Sequence, residues 1–188
     1  AFFRPDDAPH EAARIRVQSN VFVRVGGMSG ASIAYVGCDA CSFVHNTIVE
    51  PQTWIARILQ ESTDARFVPS RDGVFANNII VLNTADLRTW VNVGGGTSPE
   101  TFTFANNLWF ALDEDASWSG PTFSDGIPPE TGAIIQMDPQ MVDRAGGDYR
   151  LMPGSPAQGA GRAETLAGDR SGACYADPPT LGAYEIAP

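Results

Sequence analysis

The sequence predicts an all-β fold in which short strands recur along the chain and stack as a solenoid. A segment of one form appears four times, as VQSNVFV (17–23), FVHNTIV (43–49), FANNIIV (75–81) and FANNLWF (104–110). Its asparagines, Asn20, Asn46, Asn78 and Asn107, are 26, 32 and 29 residues apart (46 − 20, 78 − 46, 107 − 78). This spacing is too variable for a rigid helical repeat, and it suits a coil that accepts loop insertions.

A second recurring shape lies between the asparagines. Short strands rich in β-branched and apolar residues are predicted at SIAYVG (32–37), WIARIL (54–59), WVNVGG (90–95) and IIQMDP (134–139). When the strands are aligned by their centres, four side chains form one column, Tyr35, Arg57, Asn92 and Gln136. Apolar residues flank each member of the column. Because strand side chains alternate between faces, we expect the flanks to point inward and the column to point to solvent.

The repeated asparagines are predicted to mark a sharp turn between the second and third strands of each coil, where left-handed backbone is tolerated. Stacked amides at these positions would form a hydrogen-bonded ladder. We expect one domain, with an N-terminal cap or a segment where the chain is entered partway (1–13), stacked coils (14–142), and a final coil with a C-terminal cap (143–188). A short helix over residues 5–13 would cover the first coil. Without it, exposed strand edges favour a homo-oligomer or a missing N-terminal segment.

The order of strand, turn, strand, asparagine, strand and return resembles the right-handed parallel β-helix of the pectin-lyase-like superfamily, over residues 14–186. The stretches DPQMVDRAGGDYRLMPGSPAQGAGR (138–162) and GDRSGACYADPPTLGAYEI (168–186) resemble the closing segment of secreted bacterial β-helix surface proteins. The resemblance implies a right-handed, single-stranded parallel β-helix with four full coils and a C-terminal cap. It also implies a secreted or cell-surface location in a bacterium.

In that superfamily the substrate groove usually follows the outward face of the first strand of each coil. The resemblance therefore implies that Tyr35, Asn92 and Gln136 bind a polysaccharide, with Arg57 beside them and with Trp54 and Trp90 at the edge. Aromatic rings stack on sugars, and a guanidinium binds a carboxylate through two hydrogen bonds. A plain solvated strand face would carry similar residues, and this interpretation stays open.

The alternatives for its function are a non-catalytic, adhesin-like surface domain and three enzymatic mechanisms. A polysaccharide lyase needs a basic residue for β-elimination; the chain has no lysine, so Arg57 or Arg66 would be the base. Calcium would be the cofactor if Glu50, Glu61 or Asp64 supplied ligands. A glycoside hydrolase needs two carboxyls, and only Asp138 lies near the column. An epimerase would need a Tyr/His/Asp set, for which Tyr35 and His45 are poorly placed.

The formal charge of −10 disfavours nucleic acid and anionic membranes as partners. No apolar run approaches the ~18 residues that cross a bilayer. Cys38 and Cys41 form a C-x-x-C pair that could close a disulfide in an oxidising compartment or act in redox chemistry, and Cys174 is left over. We expect His45 to be a polar turn residue, and the acidic loop 113–130 to be solvated or, as the alternative, to bind calcium.

Overall fold

The structure, a computed structural model, describes residues 10–28, 30–123, 126–163 and 168–186. Within these ranges the chain is almost entirely β-structure. The described helices are two single 3₁₀ turns, Thr84–Asp86 and Pro99–Thr101. No helix among the described residues is long and apolar enough to cross a membrane.

Three parallel sheets contain most of the strands. Sheet one consists of β4 (Ala31–Val36), β8 (Thr53–Leu59) and β11 (Leu87–Val93). Sheet two consists of β2 (Arg16–Gln18), β6 (Ser42–Val44), β9 (Val74–Ala76) and β12 (Thr103–Ala105). Sheet three consists of β3 (Val21–Val23), β7 (Thr47–Val49), β10 (Ile79–Leu82), β13 (Leu108–Ala111) and β14 (Ile134–Ile135). A short parallel pair, β1 (Ala12–Ala13) with β5 (Cys38–Asp39), lies between sheets one and two in chain order.

The chain visits these sheets in a fixed order. From β4 to β13 it runs from sheet one through sheet two to sheet three and then back to sheet one, and we call each run through the three sheets a passage. Each strand pairs in parallel with the equivalent strand of the next passage, so that Phe43 lies beside Val17 on one side and Phe75 on the other. The prediction of an all-β fold with parallel strands is confirmed, and the recurring route is compatible with a solenoid.

The core is a set of apolar rows that run from passage to passage. The rings of Phe43, Phe75 and Phe104, which are register partners in sheet two, follow one another with centroids 5.4 and 5.3 Å apart. The ring of Phe22, from sheet three, packs on Phe43 with centroids 5.4 Å apart. Phe43 and Phe75 are completely buried. Because equivalent residues of successive passages lie in register, one apolar position in the repeat becomes a continuous buried row.

The predicted asparagine ladder is present. The backbone N–H groups of Asn20, Asn46 and Asn78 each donate to the side-chain oxygen of the next asparagine, at 2.9, 2.8 and 2.9 Å. Their side-chain amides donate to the same oxygens, at 3.2, 3.3 and 2.9 Å. Each ladder residue therefore fixes the turn of its own passage to the turn of the next one.

The left-handed backbone lies one residue earlier than predicted. It occurs at Ser19, His45, Asn77 and Asn106, with φ between 51° and 57°. These residues make the corner between sheets two and three, and the asparagine that follows each of them aims its amide into the ladder. The sharp bend and the hydrogen-bonding side chain are thus divided between two neighbouring residues.

The first described residues do not form the expected helix. Of the helix predicted over 5–13, residues 5–9 lie outside the described residues, and Ala12–Ala13 form strand β1 instead. Near the C-terminus, β15 (Met141–Asp143) and β16 (Asp148–Leu151) pair in the antiparallel sense. The segment that follows packs along the side of the sheets, because it contacts corner residues of several passages. Examples are Thr180 at His45 and Arg162 at Asn77.

Candidate ligand-binding face

The outward row of sheet one contains Ala34, Arg57 and Asn92, which are direct partners in the strand register. The predicted column is wrong at its first member. Tyr35 pairs with Ile58, is only 2% exposed, and donates its hydroxyl to the Val74 carbonyl at 2.8 Å. A shift of one residue in the alignment reverses the face of a strand, so Ala34 takes the solvent position and Tyr35 joins the core.

Gln136 does not belong to this row either. The strand before it, β14, pairs with β13 of sheet three, and Gln136 itself has a left-handed backbone with φ 55°. Its side-chain amide bonds the backbone of Ala111 through both its oxygen and its nitrogen, each at 2.9 Å. Gln136 therefore closes the end of β13. Asp138 follows in an exposed turn, where it accepts the Gln140 N–H at 2.7 Å, so neither residue contributes to the outward face of sheet one.

Arg57 carries the most distinctive geometry of the row. Its guanidinium lies over the ring of Trp54, with Cζ 5.2 Å from the ring centroid. The Nε atom of Arg57 is buried and has no hydrogen-bond partner among the described residues. A buried donor without an acceptor costs free energy, and a cation on an aromatic face is held in a fixed orientation. Asn92 lies beside it on the neighbouring strand.

Trp90 is placed differently from Trp54. Its ring lies 6.5 Å from the buried Trp109 and 5.9 Å from Trp118, which comes from the loop 113–130. Trp90 therefore packs against the core, and Trp54 is the aromatic residue that accompanies the Arg57 row. The loop 113–130 covers one end of the core, where the ring of Phe123 packs at a tilt on Phe104, with centroids 4.6 Å apart.

The second predicted base, Arg66, is held in an exposed ion pair. Its Nε and one terminal nitrogen donate to the two carboxylate oxygens of Asp64 at 3.0 and 2.9 Å. The side-chain hydrogen bonds that Arg66 donates to Asp64 raise the pKa of Arg66 above its ordinary value and lower the pKa of Asp64. A guanidinium stabilised in its charged form is a poor proton acceptor.

The three acids considered as calcium ligands do not converge. Glu50 pairs with Arg24 at 3.4 Å, Glu61 is exposed, and Asp64 pairs with Arg66. Across the residues that the structure describes, no group of three or more His, Cys, Asp or Glu side chains could hold a metal ion. In the acidic loop, Asp113 instead accepts the backbone N–H groups of Thr84 and Ala85.

A cavity of about 480 Å³ lies near the end of sheet one, between the loop that follows β8 and the turn that follows β11. Its lining includes Gln60, Ser62 and Thr63 on the loop side, and Gly95 and Gly96 on the turn side. The loop that follows β8 thus borders an open space.

Comparison with models of known protein families found no match, and a search of curated proteins found no significant similarity.

Glu130 is a structural residue that the sequence did not reveal. Its Oε1 accepts the backbone N–H of Asn107 at 2.9 Å and the side-chain amide of Asn107 at 2.7 Å. Its Oε2 accepts the indole N–H of Trp109 at 2.8 Å. Burial raises the pKa of Glu130, although these three donors act in the opposite direction. Glu130 thereby supplies the last acceptor of the asparagine ladder.

The structure also shows the burial and the partners of His45 and of the cysteines. His45 is fully buried under the C-terminal segment; its Nδ1 lies 3.0 Å from the Thr180 carbonyl, and its ring lies 4.6 Å from that of Tyr175. Cys38 and Cys41 form a buried disulfide, and Cys174 is free and exposed. The disulfide belongs to the apolar core between sheets one and two.

Proposed function

We propose that the chain is a right-handed parallel β-helix that binds an extracellular polysaccharide on the outward face of sheet one. The observation that carries the proposal is the arrangement of Arg57, which lies over Trp54 with an unpaired Nε and with Asn92 beside it. A fixed guanidinium and an amide can bind the carboxylate and hydroxyl groups of a sugar, and the indole adds an apolar surface.

The remaining chain supports an exported, sugar-binding role in two ways. The Cys38–Cys41 disulfide is typical of proteins that leave the reducing cytosol. The net charge of −10 would repel a polyanionic glycan from most of the surface, so a local cation is needed where such a glycan approaches. Arg57 provides that cation at the centre of the face.

Polysaccharide binding is the primary function that we propose for the chain, and cleavage of the polysaccharide is tested by a separate measurement. Since Asp64 holds Arg66 in its charged form, Arg57 is the candidate base that is left for a β-elimination. A lyase would need Arg57 to accept the proton alpha to a uronate carboxylate, within hydrogen-bonding reach of that carbon.

The test is a glycan-binding panel that contains uronate polymers and neutral polysaccharides, read with the purified wild-type chain. Arg57→Ala and Trp54→Ala should each weaken binding at least tenfold, because each removes one element of the pair. Arg170→Ala is the matched control, since Arg170 is an exposed arginine on the C-terminal segment.

Enzymatic cleavage is followed in the same experiment through the ultraviolet absorbance of the unsaturated product, with and without added calcium. Product that forms with the wild type and disappears in Arg57→Ala would establish lyase activity. Binding without product would assign a non-catalytic, adhesin-like role. If no polysaccharide on the panel binds the wild type, the proposed function is wrong and the β-helix serves as a scaffold.

A further inference from the structure

The cavity between the loop 60–69 and the turn 94–96 lies on the same path as the Arg57–Asn92 row. Strands β8 and β11 stay in register from Arg57–Asn92 to Ile58–Val93, and the Gly94 N–H then donates to the Ile58 carbonyl at 2.8 Å. Gly95 comes three residues after Asn92, a distance of roughly 10 Å along an extended chain. A linear ligand that binds at Arg57 would therefore reach the cavity.

The turn 94–96 contains three consecutive glycines, and the fold accounts for two of them. A Cβ on Gly94 would come within 3.0 Å of Leu59 Cδ1, and Gly96 has a left-handed backbone with φ 72°. Neither steric contact nor backbone conformation requires glycine at position 95. Its φ lies outside the left-handed region, and a Cβ there would meet nothing within 4 Å. Its bare backbone faces open space beside the cavity.

The walls of this cavity are held in place by hydrogen bonds. The Gln60 side chain donates to the Ser62 carbonyl at 3.2 Å and accepts the Ser70 N–H at 2.9 Å. On the other wall, the Thr97 hydroxyl donates to the Gly94 carbonyl at 2.8 Å. Thr63 and Asp64 also lie on the loop wall, where they add a hydroxyl and a carboxylate. The lining combines apolar side chains, Ala65, Phe67 and Pro69, with a few polar groups, and such a preformed space suits the ring and hydroxyl groups of a sugar.

We propose that this cavity is a second sugar subsite, in which a neutral, hydroxylated sugar unit packs on the bare backbone of Gly95 next to the unit bound at Arg57. This inference rests on the proposed function, and it makes Gly95 a specificity-determining position. Hydroxyl groups of the sugar would bond the loop wall, where Asp64 is already neutralised by Arg66. A side chain at position 95 would occupy the space of the sugar ring.

The test measures affinity by titration calorimetry with disaccharides and hexasaccharides prepared from the polysaccharide that binds best on the panel. In the wild type the hexasaccharide should bind at least tenfold more tightly than the disaccharide. Gly95→Leu should remove this difference and leave disaccharide binding unchanged, while Gly95→Ala should reduce the difference partly. Ala145→Leu adds the same bulk at an exposed turn residue between β15 and β16, and it should behave as the wild type.

Thermal unfolding of both Gly95 variants should match the wild type, because the new side chain meets open space and no strained backbone. The inference is overturned if Gly95→Leu folds normally and keeps the full preference for the hexasaccharide. It is also overturned if the wild type binds both oligomers equally. Loss of all binding in Arg57→Ala, with the Gly95 variants unaffected, would leave the proposed function intact and remove only the second subsite.

Discussion

The carboxylate of Glu130 accepts two hydrogen bonds from Asn107, at 2.9 Å from the backbone nitrogen and at 2.7 Å from the side-chain amide. It thus occupies the acceptor place that an asparagine side chain fills at each earlier step of the ladder. The residue in register with Asn107 in the next passage is Ala133, because Leu108 pairs with Ile134. Alanine has no amide, and the carboxylate reaches into the vacant position from three residues earlier in the chain.

Replacing Glu130 by alanine should strongly destabilise the protein. Three buried donors, two on Asn107 and one on Trp109, would lose their acceptor, and each loss costs about 1–3 kcal/mol. We expect urea unfolding to show a decrease of about 3 kcal/mol or more in the free energy of unfolding. Glu100→Ala removes an exposed glutamate and should change it by less than about 0.5 kcal/mol. Equal effects of the two variants would contradict the role of Glu130.

Asn78 should be more important for stability than Asn20. The Asn78 side chain accepts the Asn46 N–H at 2.8 Å and donates to the Phe43 carbonyl at 3.1 Å, and all of these atoms are buried. Asn20 is the first described member and is partly exposed, so water can replace its lost partners. Asn78→Ala is expected to cost about 3 kcal/mol and Asn20→Ala about 1 kcal/mol in chemical denaturation. The opposite order would show that the ladder does not stabilise the fold through its buried members.

Much of the scaffold could be predicted from the sequence because it depends on local repetition. The asparagines at intervals of 26 to 32 residues mark the corner between sheets two and three in each passage, and the strands that contain Ala34, Arg57 and Asn92 lie in one sheet as predicted. A repeated side-chain pattern survives variation in loop length, since each passage has to place the same types of residue in register with its neighbours.

The candidate site could be predicted only in part, for reasons of register and of long-range packing. Tyr35 and Ala34 are adjacent, and the apolar residues around them do not decide which one points outward. Gln136 follows a long loop, after which the chain enters sheet three without first adding a strand to sheet one. Glu130 could not be found at all, because it lies in the irregular loop before β14 and outside the repeated segment that contains its partners Asn107 and Trp109.

Tyr35 should contribute to stability and not to ligand binding. Burial raises the pKa of its phenol above the ordinary value of 10.0, and the hydroxyl donates to the Val74 carbonyl. Tyr35→Phe should therefore cost about 1 kcal/mol of unfolding free energy and leave the affinity for the polysaccharide unchanged. In the wild type, the phenol of Tyr35 should ionise only when the fold opens at alkaline pH. Ultraviolet titration of Tyr35→Phe should therefore show one phenol fewer in that late, unfolding-linked step. A tenfold loss of affinity in this variant would return Tyr35 to the binding face.

His45 should make the stability fall under mildly acidic conditions. Nδ1 carries the proton, because its partner, the Thr180 carbonyl, can only accept; Nε2 then accepts from the Asn77 amide at 2.8 Å. Burial, with weaker repulsion from Arg16 and Arg162, lowers the pKa of His45 from 6.5 to about 4. His45 therefore becomes protonated near pH 6.5 in the unfolded chain, but only near pH 4 in the folded chain. Stability that is present at neutral pH is lost as the pH falls through this interval.

The size of this effect follows from the difference between the two pKa values, which corresponds to about 3 kcal/mol. His45→Asn is the appropriate comparison, because asparagine occupies the equivalent left-handed corners at positions 77 and 106. Urea unfolding at pH 7 and at pH 4 should show a decrease in stability that is larger in the wild type than in His45→Asn by about that amount. Carboxylates common to both proteins cancel in this difference. If the two proteins lose the same stability between these pH values, His45 is already charged in the folded state or exchanges its proton without opening the C-terminal segment.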